Sequence, residues 1–236
     1  MTAEAVARGP AAGRRPDPAR ITSGFSSGPT RGAYLDWIAF HLSKLGQRIA
    51  RAVARRPKVR PHPRLLRAAA EETVGAFPDP ACIETGSLRD PNEGTDSTRV
   101  IAATLGERGR LYTFELDPKH LAVCREVCRE FADRIEYVEG DAKVNLRQWR
   151  ERGTLRQVHF AFLDSADDPE QIWEEFRAIE DLFVPGSVLV VDDVVPPAVK
   201  GRRIKLYLHR DPAWETRLVY AGKGLLVAVR RSAGAA

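Results

Sequence analysis

The amino-acid sequence predicts an α/β domain built around a mostly parallel sheet, and three observations carry this prediction. From Ala81 onward, short apolar runs alternate with helix-like segments, which is the pattern of strands and crossover helices in a parallel sheet. The last two runs, 216–220 and 225–229, flank a short segment with two glycines, which predicts an antiparallel hairpin. Several runs lead into acidic residues, namely Glu84, Glu115, Asp141, Asp164, Asp192 and Asp193. We therefore expect a doubly wound, mixed sheet of seven strands, mostly parallel and closed by a C-terminal antiparallel hairpin.

The length and composition indicate one globular domain with an appendage. The chain has 236 residues, of which 43% are hydrophobic, and this suits a single α/β domain with a sizeable core. No apolar run approaches the roughly 18 residues of a membrane helix, and residues 1–20 lack the apolar segment of a secretory signal. The three cysteines lack the spacing of a zinc site or a disulfide framework, so we expect Cys124 and Cys128 to pack in the core. These features predict a cytoplasmic protein without a membrane partner.

Positive charge is concentrated at the start of the chain. Residues 1–64 contain 13 Lys or Arg and 3 Asp or Glu, a net charge of +10, whereas the remainder carries −5. A basic arm of this kind can contact nucleic acid. It lacks interleaved aromatic residues and a recognisable nucleic-acid module, so we interpret it as a solvated surface and expect no nucleic-acid partner.

Two segments precede the first predicted strand. Residues 1–32 are rich in Gly, Pro, Ser and Arg without periodicity, which predicts a disordered basic tail. Residues 33–80 predict a helical cap with one helix over 33–53 and a second over 64–77, separated by a proline-rich break. We expect this cap to cover the open edge of a functional site or to contribute to a homodimer.

Residues 81–236 predict the strand–helix domain itself. The connection 86–96 is long and polar for a strand-to-helix loop. Pro118 suits the first position of a helix, and 158–163 is a continuous apolar run typical of a buried parallel strand. In order, the predicted elements are strand 81–84, helix 98–105, strand 111–116, helix 118–131, strand 135–139, helix 142–149, strand 158–163, helix 169–183, strand 187–191 and the two hairpin strands.

The ends of the predicted strands resemble those of a known family. The first strand ends in Glu84-Thr85-Gly86-Ser87, the second in Glu115-Leu116-Asp117-Pro118, and the third leads into Gly140-Asp141-Ala142. On these motifs, residues 81–229 resemble the class I S-adenosylmethionine-dependent methyltransferases, and most closely the small-molecule O-methyltransferases of the catechol and caffeoyl-coenzyme A type with their bacterial relatives. The resemblance implies a Rossmann-like fold, S-adenosylmethionine (SAM) as the cofactor and a small-molecule acceptor, with natural-product biosynthesis as one setting.

The resemblance also implies which residues bind the cofactor. Glu115 takes the position of the family's acid that accepts both ribose hydroxyls, and a carboxylate suits two adjacent donors. Gly86 takes the position of a glycine that lets the backbone approach the methionine part. Asp141 corresponds to the residue that receives the adenine amino group. The implied cofactor-binding set is Glu84, Gly86, Ser87, Ser97, Glu115, Asp141, Ala142 and Asp164, with Arg89 as an alternative contact from the long loop.

The same resemblance implies a divalent metal site at the ends of the fourth and fifth strands. In the metal-dependent subgroup, the positions of Asp164, Asp192 and Asp193 carry the ligands of a divalent cation. Three carboxylates form a hard oxygen site suited to Mg²⁺, and the metal would activate and orient the acceptor hydroxyl. Many relatives with similar strand ends work without metal, so a metal-free site is the alternative.

The catalytic base is less constrained by the sequence. Catechol-type enzymes place a lysine three residues after the first metal aspartate, and this chain has Asp167 there. Asp167 and Lys200 are therefore the leading candidates for a catalytic residue, with Asp168 and His209 as alternatives. Metal activation alone would also suffice for an acidic hydroxyl.

Two further function classes stay open at the level of sequence. A nicotinamide-dependent oxidoreductase would also use Glu115 on a ribose, but the G-x-G-x-x-G fingerprint is absent and the closing hairpin does not match its usual fold. A nucleic-acid-binding or RNA-modifying protein would use the basic arm. Methyl transfer from SAM to an oxygen of a small molecule is the function that the sequence favours.

Overall fold

The structure, a computed structural model, describes residues 62–89, 96–220 and 223–232 of the chain. The predicted tail 1–32 and the predicted helix 33–53 lie outside the described residues. So do the middle of the loop after the first strand and two residues of the hairpin turn. The predicted boundaries of the tail, the cap and the catalytic domain therefore stay predictions.

Seven strands of the described chain form one sheet. They are β1 (Ala81–Thr85), β2 (Arg110–Glu115), β3 (Ile135–Glu139), β4 (Val158–Leu163), β5 (Phe183–Val191), β6 (Trp214–Val219) and β7 (Leu225–Arg230). Their order across the sheet is β3-β2-β1-β4-β5-β7-β6. The first five strands pair in parallel, whereas β7 lies antiparallel between β5 and β6. The mixed sheet with its antiparallel closing hairpin confirms the fold class predicted from the sequence.

Helices connect the strands and cover both faces of the sheet. They are α1 (His62–Ala76), α2 (Ser97–Leu105), α3 (Pro118–Val127), α4 (Ala142–Glu151), α5 (Pro169–Ile179) and α6 (Arg202–Arg210). Three of them begin after an aspartate, because the side chains of Asp117, Asp141 and Asp168 accept a backbone N–H in the first turn of α3, α4 and α5. None of the helices in the described ranges has the length and hydropathy that crossing a membrane requires.

Two hydrophobic clusters fill the space between the sheet and its helices. Successive residues of a strand point to opposite faces, so Cys82 joins the cluster under α1 and α2 while Ile83 joins the cluster under α4 and α5. Cys124 and Cys128 are fully buried in the first cluster, as expected, and neither forms a disulfide. Phe176 of α5 is fully buried in the second cluster, and replacing such a side chain by alanine costs about 3–5 kcal/mol. The paired layers hold the strand ends in fixed positions.

The boundary between α5 and β5 differs from the prediction. The sequence predicted a helix to Phe183 and a strand from Ser187, but α5 ends at Ile179 and β5 begins at Phe183. A register shift against β4 lets the strand start early. Ser187 Oγ accepts the Val184 N–H at 3.1 Å and donates to the Val158 carbonyl at 2.7 Å, which satisfies backbone groups at the irregularity. A proline and a glycine inside the strand made this segment resemble a loop.

Two other helices depart from the predicted pattern. The helix predicted to reach Phe131 ends at Val127 and continues as a short 3-10 turn. The sequence analysis assigned no helix to the segment that forms α6. Its signal is the spacing of the buried residues Ile204 and Leu208, which the surrounding Arg and Lys side chains obscured.

Candidate active site

The candidate site lies where the carboxyl ends of β1, β2, β4 and β5 meet at one edge of the sheet, the usual position of ligands in such sheets. Backbone hydrogen bonds extend past the strands and tie these ends together. Gly86 N–H donates to Phe114 O at 2.9 Å, and Asp164 N–H donates to Thr85 O at 3.0 Å. The predicted site residues that follow these strands are therefore brought to one edge.

Gly86 allows the end of β1 to lie against the end of β4. Its φ is 82°, in the left-handed region that side chains rarely adopt. A Cβ at this position would lie 2.5 Å from the Asp164 carbonyl oxygen and 2.7 Å from Ser165 Cα. The glycine is thus required by the close approach of the chain to itself. The approach of the cofactor to Gly86, which the resemblance implies, stays a prediction.

Glu84 is fully buried beneath the site, between β1, β2 and α2. Its Oε2 accepts hydrogen bonds from Thr98 Oγ1 at 2.6 Å and from Thr113 Oγ1 at 2.7 Å. Burial raises the pKa of Glu84 to about 7, although hydrogen bonds from Ser97, Thr98 and Thr113 oppose the shift. Its Oε1 has no hydrogen-bond partner among the described residues. A fully buried acceptor in this position is available to a donor that the described residues do not supply.

Thr98 connects the start of α2 to the end of β1. Its hydroxyl donates to Glu84 and accepts the Leu88 N–H at 3.1 Å. Because Thr98 is fully buried and its hydroxyl is used in this way, it serves the architecture of the loop rather than a ligand. Ser97, the predicted cofactor contact, is the first residue of α2 and is half-buried.

Glu115 ends β2 with its side chain only 7% exposed. Oε2 accepts the Ser87 N–H at 3.2 Å and lies 3.4 Å from Ser87 Oγ, while Oε1 accepts the Asp117 N–H at 3.0 Å. His120 Nδ1 lies 3.7 Å from Oε1. The next residue, Leu116, is 71% exposed although it is a large apolar side chain. The structure thus brings together Glu115 and Ser87, two residues of the predicted cofactor-binding set, and an exposed apolar side chain follows Glu115.

Asp141 is held at the start of α4 by a set of polar side chains. Its Oδ1 accepts the Lys143 N–H at 3.1 Å, which caps the helix, and accepts Gln171 Nε2 at 2.9 Å. Lys143 Nζ lies 3.5 Å from Oδ2. Ala142, the other predicted contact, is buried at the first position of α4. Asp141 therefore caps α4, and its role toward adenine stays a prediction.

Glu175 is a buried carboxylate that the sequence analysis missed. It is fully buried on α5, and its Oε2 accepts from Thr85 Oγ1 at 2.8 Å. Its Oε1 accepts from Ser165 Oγ at 2.6 Å and from Gln171 Nε2 at 2.9 Å. Burial raises the pKa of Glu175 against these hydrogen bonds. An acid on the otherwise apolar face of α5 was the signal that could have revealed it.

Asp164, Asp192 and Asp193 form an acidic cluster at the ends of β4 and β5. The Lys200 ammonium hydrogen-bonds to Asp164 Oδ1 and lies 3.8 Å from Asp193 Oδ2. Lys223, from the hairpin turn, donates to Asp193 Oδ2 at 3.0 Å. Burial lowers the pKa of Lys200, but the attraction of Asp164, the hydrogen bond to it and the attraction of Asp193 outweigh burial and raise it overall. The cluster is thus already paired with cations of the chain.

The residues of the acidic cluster do not fit the predicted Mg²⁺ site. Over the described ranges, no group of three or more His, Cys, Asp or Glu side chains is arranged to hold a metal ion. The Lys200 ammonium already contacts a carboxylate oxygen of Asp164. Magnesium coordination by Asp164, Asp192 and Asp193 therefore has no support in this geometry.

The candidates for a catalytic base are dispersed. Asp167 is exposed in the loop before α5, Asp168 caps that helix, and His209 is exposed on α6. Lys200 is buried in ion pairs with a raised pKa, so its protonated form is favoured and a general base is not the role that this environment suits. The identity of the base stays a prediction.

Comparisons with known proteins agree with this geometry. Residues 94–194 match a family model described as a methyltransferase domain. No curated protein matches the chain. Among solved structures, an O-methyltransferase from Bacillus cereus in complex with SAH superposes with a TM-score of 0.60 at 22% identity, covering 89% of this chain and 95% of that one.

Two other solved structures show the same fold. The O-methyltransferase TomG from Streptomyces achromogenes, solved with SAM, has a TM-score of 0.59 at 20% identity and covers 89% of this chain and 94% of its own. Cofactor-bound Rv0187 from MTB has a TM-score of 0.56 at 22% identity, with coverage of 93% and 98%. These structures share the Rossmann-like methyltransferase fold predicted from the sequence, and residues 94–194 of the chain match a methyltransferase domain.

Proposed function

We propose that this protein transfers the methyl group of SAM to an oxygen atom of a small-molecule acceptor. The matched methyltransferase domain and the sheet order support methyl transfer. Similar structures contain SAH in the Bacillus cereus O-methyltransferase and SAM in TomG, and this likeness supports SAM as the cofactor. TomG takes part in tomaymycin synthesis, which favours an acceptor from natural-product biosynthesis.

The observation that carries the proposal is the setting of Glu115. Two backbone N–H groups, from Ser87 and Asp117, fix the carboxylate at the end of β2. A carboxylate has about four acceptor positions, so it can still accept two adjacent hydroxyl groups such as those of a ribose. The exposed Leu116 beside it provides an apolar surface for a flat base. A nucleoside fits this combination of acceptor and apolar surface.

Glu84 and Gly86 support the methionine end of the same ligand. Oε1 of Glu84 is a buried acceptor without a partner among the described residues, and the cofactor's ammonium group is a donor of the required kind. Gly86 holds this turn against Asp164, so the ends of β1 and β4 lie side by side. A cofactor extending from Glu115 toward Glu84 would place its sulfonium near the acidic cluster.

The chemistry requires alignment more than activation by the protein. SAM supplies a methyl group on a positively charged sulfur, and the acceptor oxygen forms the new C–O bond as the C–S bond breaks and its electron pair stays on sulfur. The hydroxyl proton leaves to a base or to solvent. Residues that orient both partners therefore contribute most of the rate. The proposed transfer uses no divalent metal, because the Lys200 ammonium is already bound to Asp164.

Calorimetric titration of SAH into the full-length protein tests the proposal. We expect Glu115→Ala to weaken binding about 100-fold, because two charge-assisted hydrogen bonds are lost. Glu139→Ala is the matched control, since Glu139 pairs with Glu115 in register at the end of β3 but is exposed. We expect the control to bind SAH like the unmodified protein.

A parallel titration with NAD⁺ separates the alternative enzyme class. The antiparallel β7 between β5 and β6 disfavours a dinucleotide-binding fold, whose usual order ends in a parallel strand. Binding of NAD⁺ without binding of SAH would overturn the proposal. Once SAH binding is established, labelled SAM and a panel of phenols and hydroxy acids would identify the acceptor class.

A further inference from the structure

The Lys200 side chain is buried within the acidic cluster. It is 5% exposed, and its ammonium bonds to Asp164 at the end of β4. The same nitrogen lies 3.8 Å from Asp193 Oδ2 at the end of β5. One cation of the chain thus bridges the two strand ends whose carboxylates were predicted to share a metal.

The backbone around Lys200 is held against the end of β5. The next residue, Gly201, donates its N–H to Asp193 O at 3.3 Å. A Cβ on Gly201 would lie 2.3 Å from Val194 Cγ1, so the two segments are in close contact. Gly201 also precedes α6, which is anchored in the core by Ile204. The packing of these elements fixes the root of the Lys200 side chain beside the cluster.

A divalent cation would compete with this ammonium for the same oxygens. Mg²⁺ needs near-octahedral oxygen ligands at about 2.1 Å, so it would approach Asp164 and Asp193 where the Lys200 nitrogen lies. Two cations a few ångströms apart in a buried site repel strongly. With Lys223 also bound to Asp193, three carboxylates already face two ammonium groups. Little net negative charge remains to attract a metal.

We propose that Lys200 is the resident cation of the acidic cluster and takes the position that a divalent metal would otherwise fill. It holds the ends of β4 and β5 together and neutralises their carboxylates beside the methyl-transfer site. The cluster therefore binds no divalent ion while Lys200 is in place. This inference rests on the proposed function, since it names the cation that this methyltransferase uses at the acceptor side of its site.

Binding of Mn²⁺, followed by electron paramagnetic resonance of the free ion, tests the proposal on the full-length protein. Mn²⁺ prefers the same oxygen ligands as Mg²⁺. We expect no binding by the unmodified protein up to about 1 mM Mn²⁺. Lys200→Ala and Lys200→Gln remove the ammonium and leave the carboxylates, so both are expected to bind Mn²⁺ at least about tenfold more tightly.

Lys223→Ala is the matched control. Lys223 contacts the same Asp193 oxygen, but its side chain is 58% exposed and it does not bridge the two strands through Asp164. We expect this variant, in which Lys200 still bridges Asp164 and Asp193, to bind Mn²⁺ much more weakly than the two Lys200 variants. Binding by the unmodified protein that Asp193→Asn abolishes would overturn the proposal. Absence of binding in folded Lys200→Ala and Lys200→Gln would equally overturn it, because Lys200 would not be what excludes the metal.

Circular dichroism of each variant separates loss of folding from loss of binding. If neither Lys200 variant folds, the test depends on the unmodified protein. Mn²⁺ binding at its acidic cluster would contradict the proposal, and absence of Mn²⁺ binding would support it. SAH titration on the same preparation is an independent readout. If the unmodified protein binds neither SAH nor Mn²⁺, the proposed function is refuted. This outcome differs from that of a metal-dependent enzyme, which would bind Mn²⁺.

Discussion

The ends of β1 and β2 and the ends of β4 and β5 both carry carboxylates at the edge of the sheet, but the two regions satisfy them differently. At β1 and β2, Glu84 and Glu115 accept hydrogen bonds mainly from hydroxyl groups and backbone N–H groups. At β4 and β5, Asp164 and Asp193 are paired with lysine ammonium groups. Neutral donors leave the first region able to accept a polar ligand. The lysine ammonium groups make the second region nearly neutral even when no ligand is bound.

Gly86 joins the two regions, and its replacement should have the largest effect. We expect Gly86→Ala to lower the free energy of unfolding by about 3 kcal/mol or more, because the methyl group would collide with the Asp164 carbonyl in addition to the strain of a positive φ. Urea denaturation measures the loss.

Gly106→Ala is the control for the backbone strain alone. Gly106 also has a positive φ, of 63°, but an added Cβ would meet nothing within 4 Å. A loss of about 1 kcal/mol is expected there. Equal losses at the two glycines would show that the regions are not in tight contact through Gly86.

Removal of Lys200 should weaken the β4–β5 region strongly. We expect Lys200→Ala to lower the free energy of unfolding by about 3 kcal/mol, because it leaves Asp164 and Asp193 without their buried counter-charge. Lys223→Ala removes a mostly exposed partner of Asp193 and should cost less than about 1 kcal/mol. A larger loss for Lys223→Ala would place the structural cation in the hairpin turn.

The β1–β2 region should respond to pH through Glu84. The pKa of Glu84 in the folded protein is raised to about 7 from 4.5, so its protonated form stabilises the fold fully below about pH 4.5, and this contribution is lost as pH rises through about 7. The loss is about 3 kcal/mol for a shift of this size. Glu84→Gln, which stays neutral, should become more stable relative to the unmodified protein as pH increases over this range.

Urea denaturation of both proteins at about pH 5 and about pH 8 measures this difference. The protein without ligand is the relevant sample, because a bound cofactor would supply a donor to the carboxylate. A difference in stability that does not change with pH would mean that Glu84 is ionised in the fold at both values.

The smallest effect on stability is expected at the amino-terminal ends of the strands, near the start of β4 and opposite to the candidate site. His159 Nδ1 accepts the Ala81 N–H at 3.0 Å, and burial lowers the pKa of His159. A lowered pKa means that stability is present above the unfolded value of about 6.5 and is lost as pH falls. His159→Gln should reduce this acid sensitivity, measured by thermal unfolding, and leave SAH binding unchanged. Weaker SAH binding would show that the two ends of the strands are coupled.

The strand ends could be predicted because their signals are local. An apolar run that stops at an acid identified Glu84, Glu115 and Asp164, and strand pairing in the structure brings all three to one edge. The antiparallel hairpin was likewise visible in the two strand-like runs 216–220 and 225–229 and the short segment with two glycines between them. These features depend on residues that are close in the sequence, so one amino-acid sequence was enough to predict them.

The partners of the acids could not be predicted, because long-range packing sets them. Lys200 reaches Asp164 from 36 positions away, and Glu175 reaches Thr85 from 90 positions away. An aspartate beside a metal and an aspartate beside a lysine look the same in a sequence motif. The prediction of Mg²⁺ depended on carboxylates alone and carried no information about the ammonium between them.

A crystal structure of the full-length protein with SAH, grown in the presence of Mn²⁺, tests the contrast between the two regions most directly. The account predicts that the ribose hydroxyls of SAH contact Glu115, that the Lys200 ammonium stays on Asp164, and that no anomalous manganese peak lies among Asp164, Asp192 and Asp193. A manganese peak in that cluster, or SAH bound away from Glu115, would contradict it.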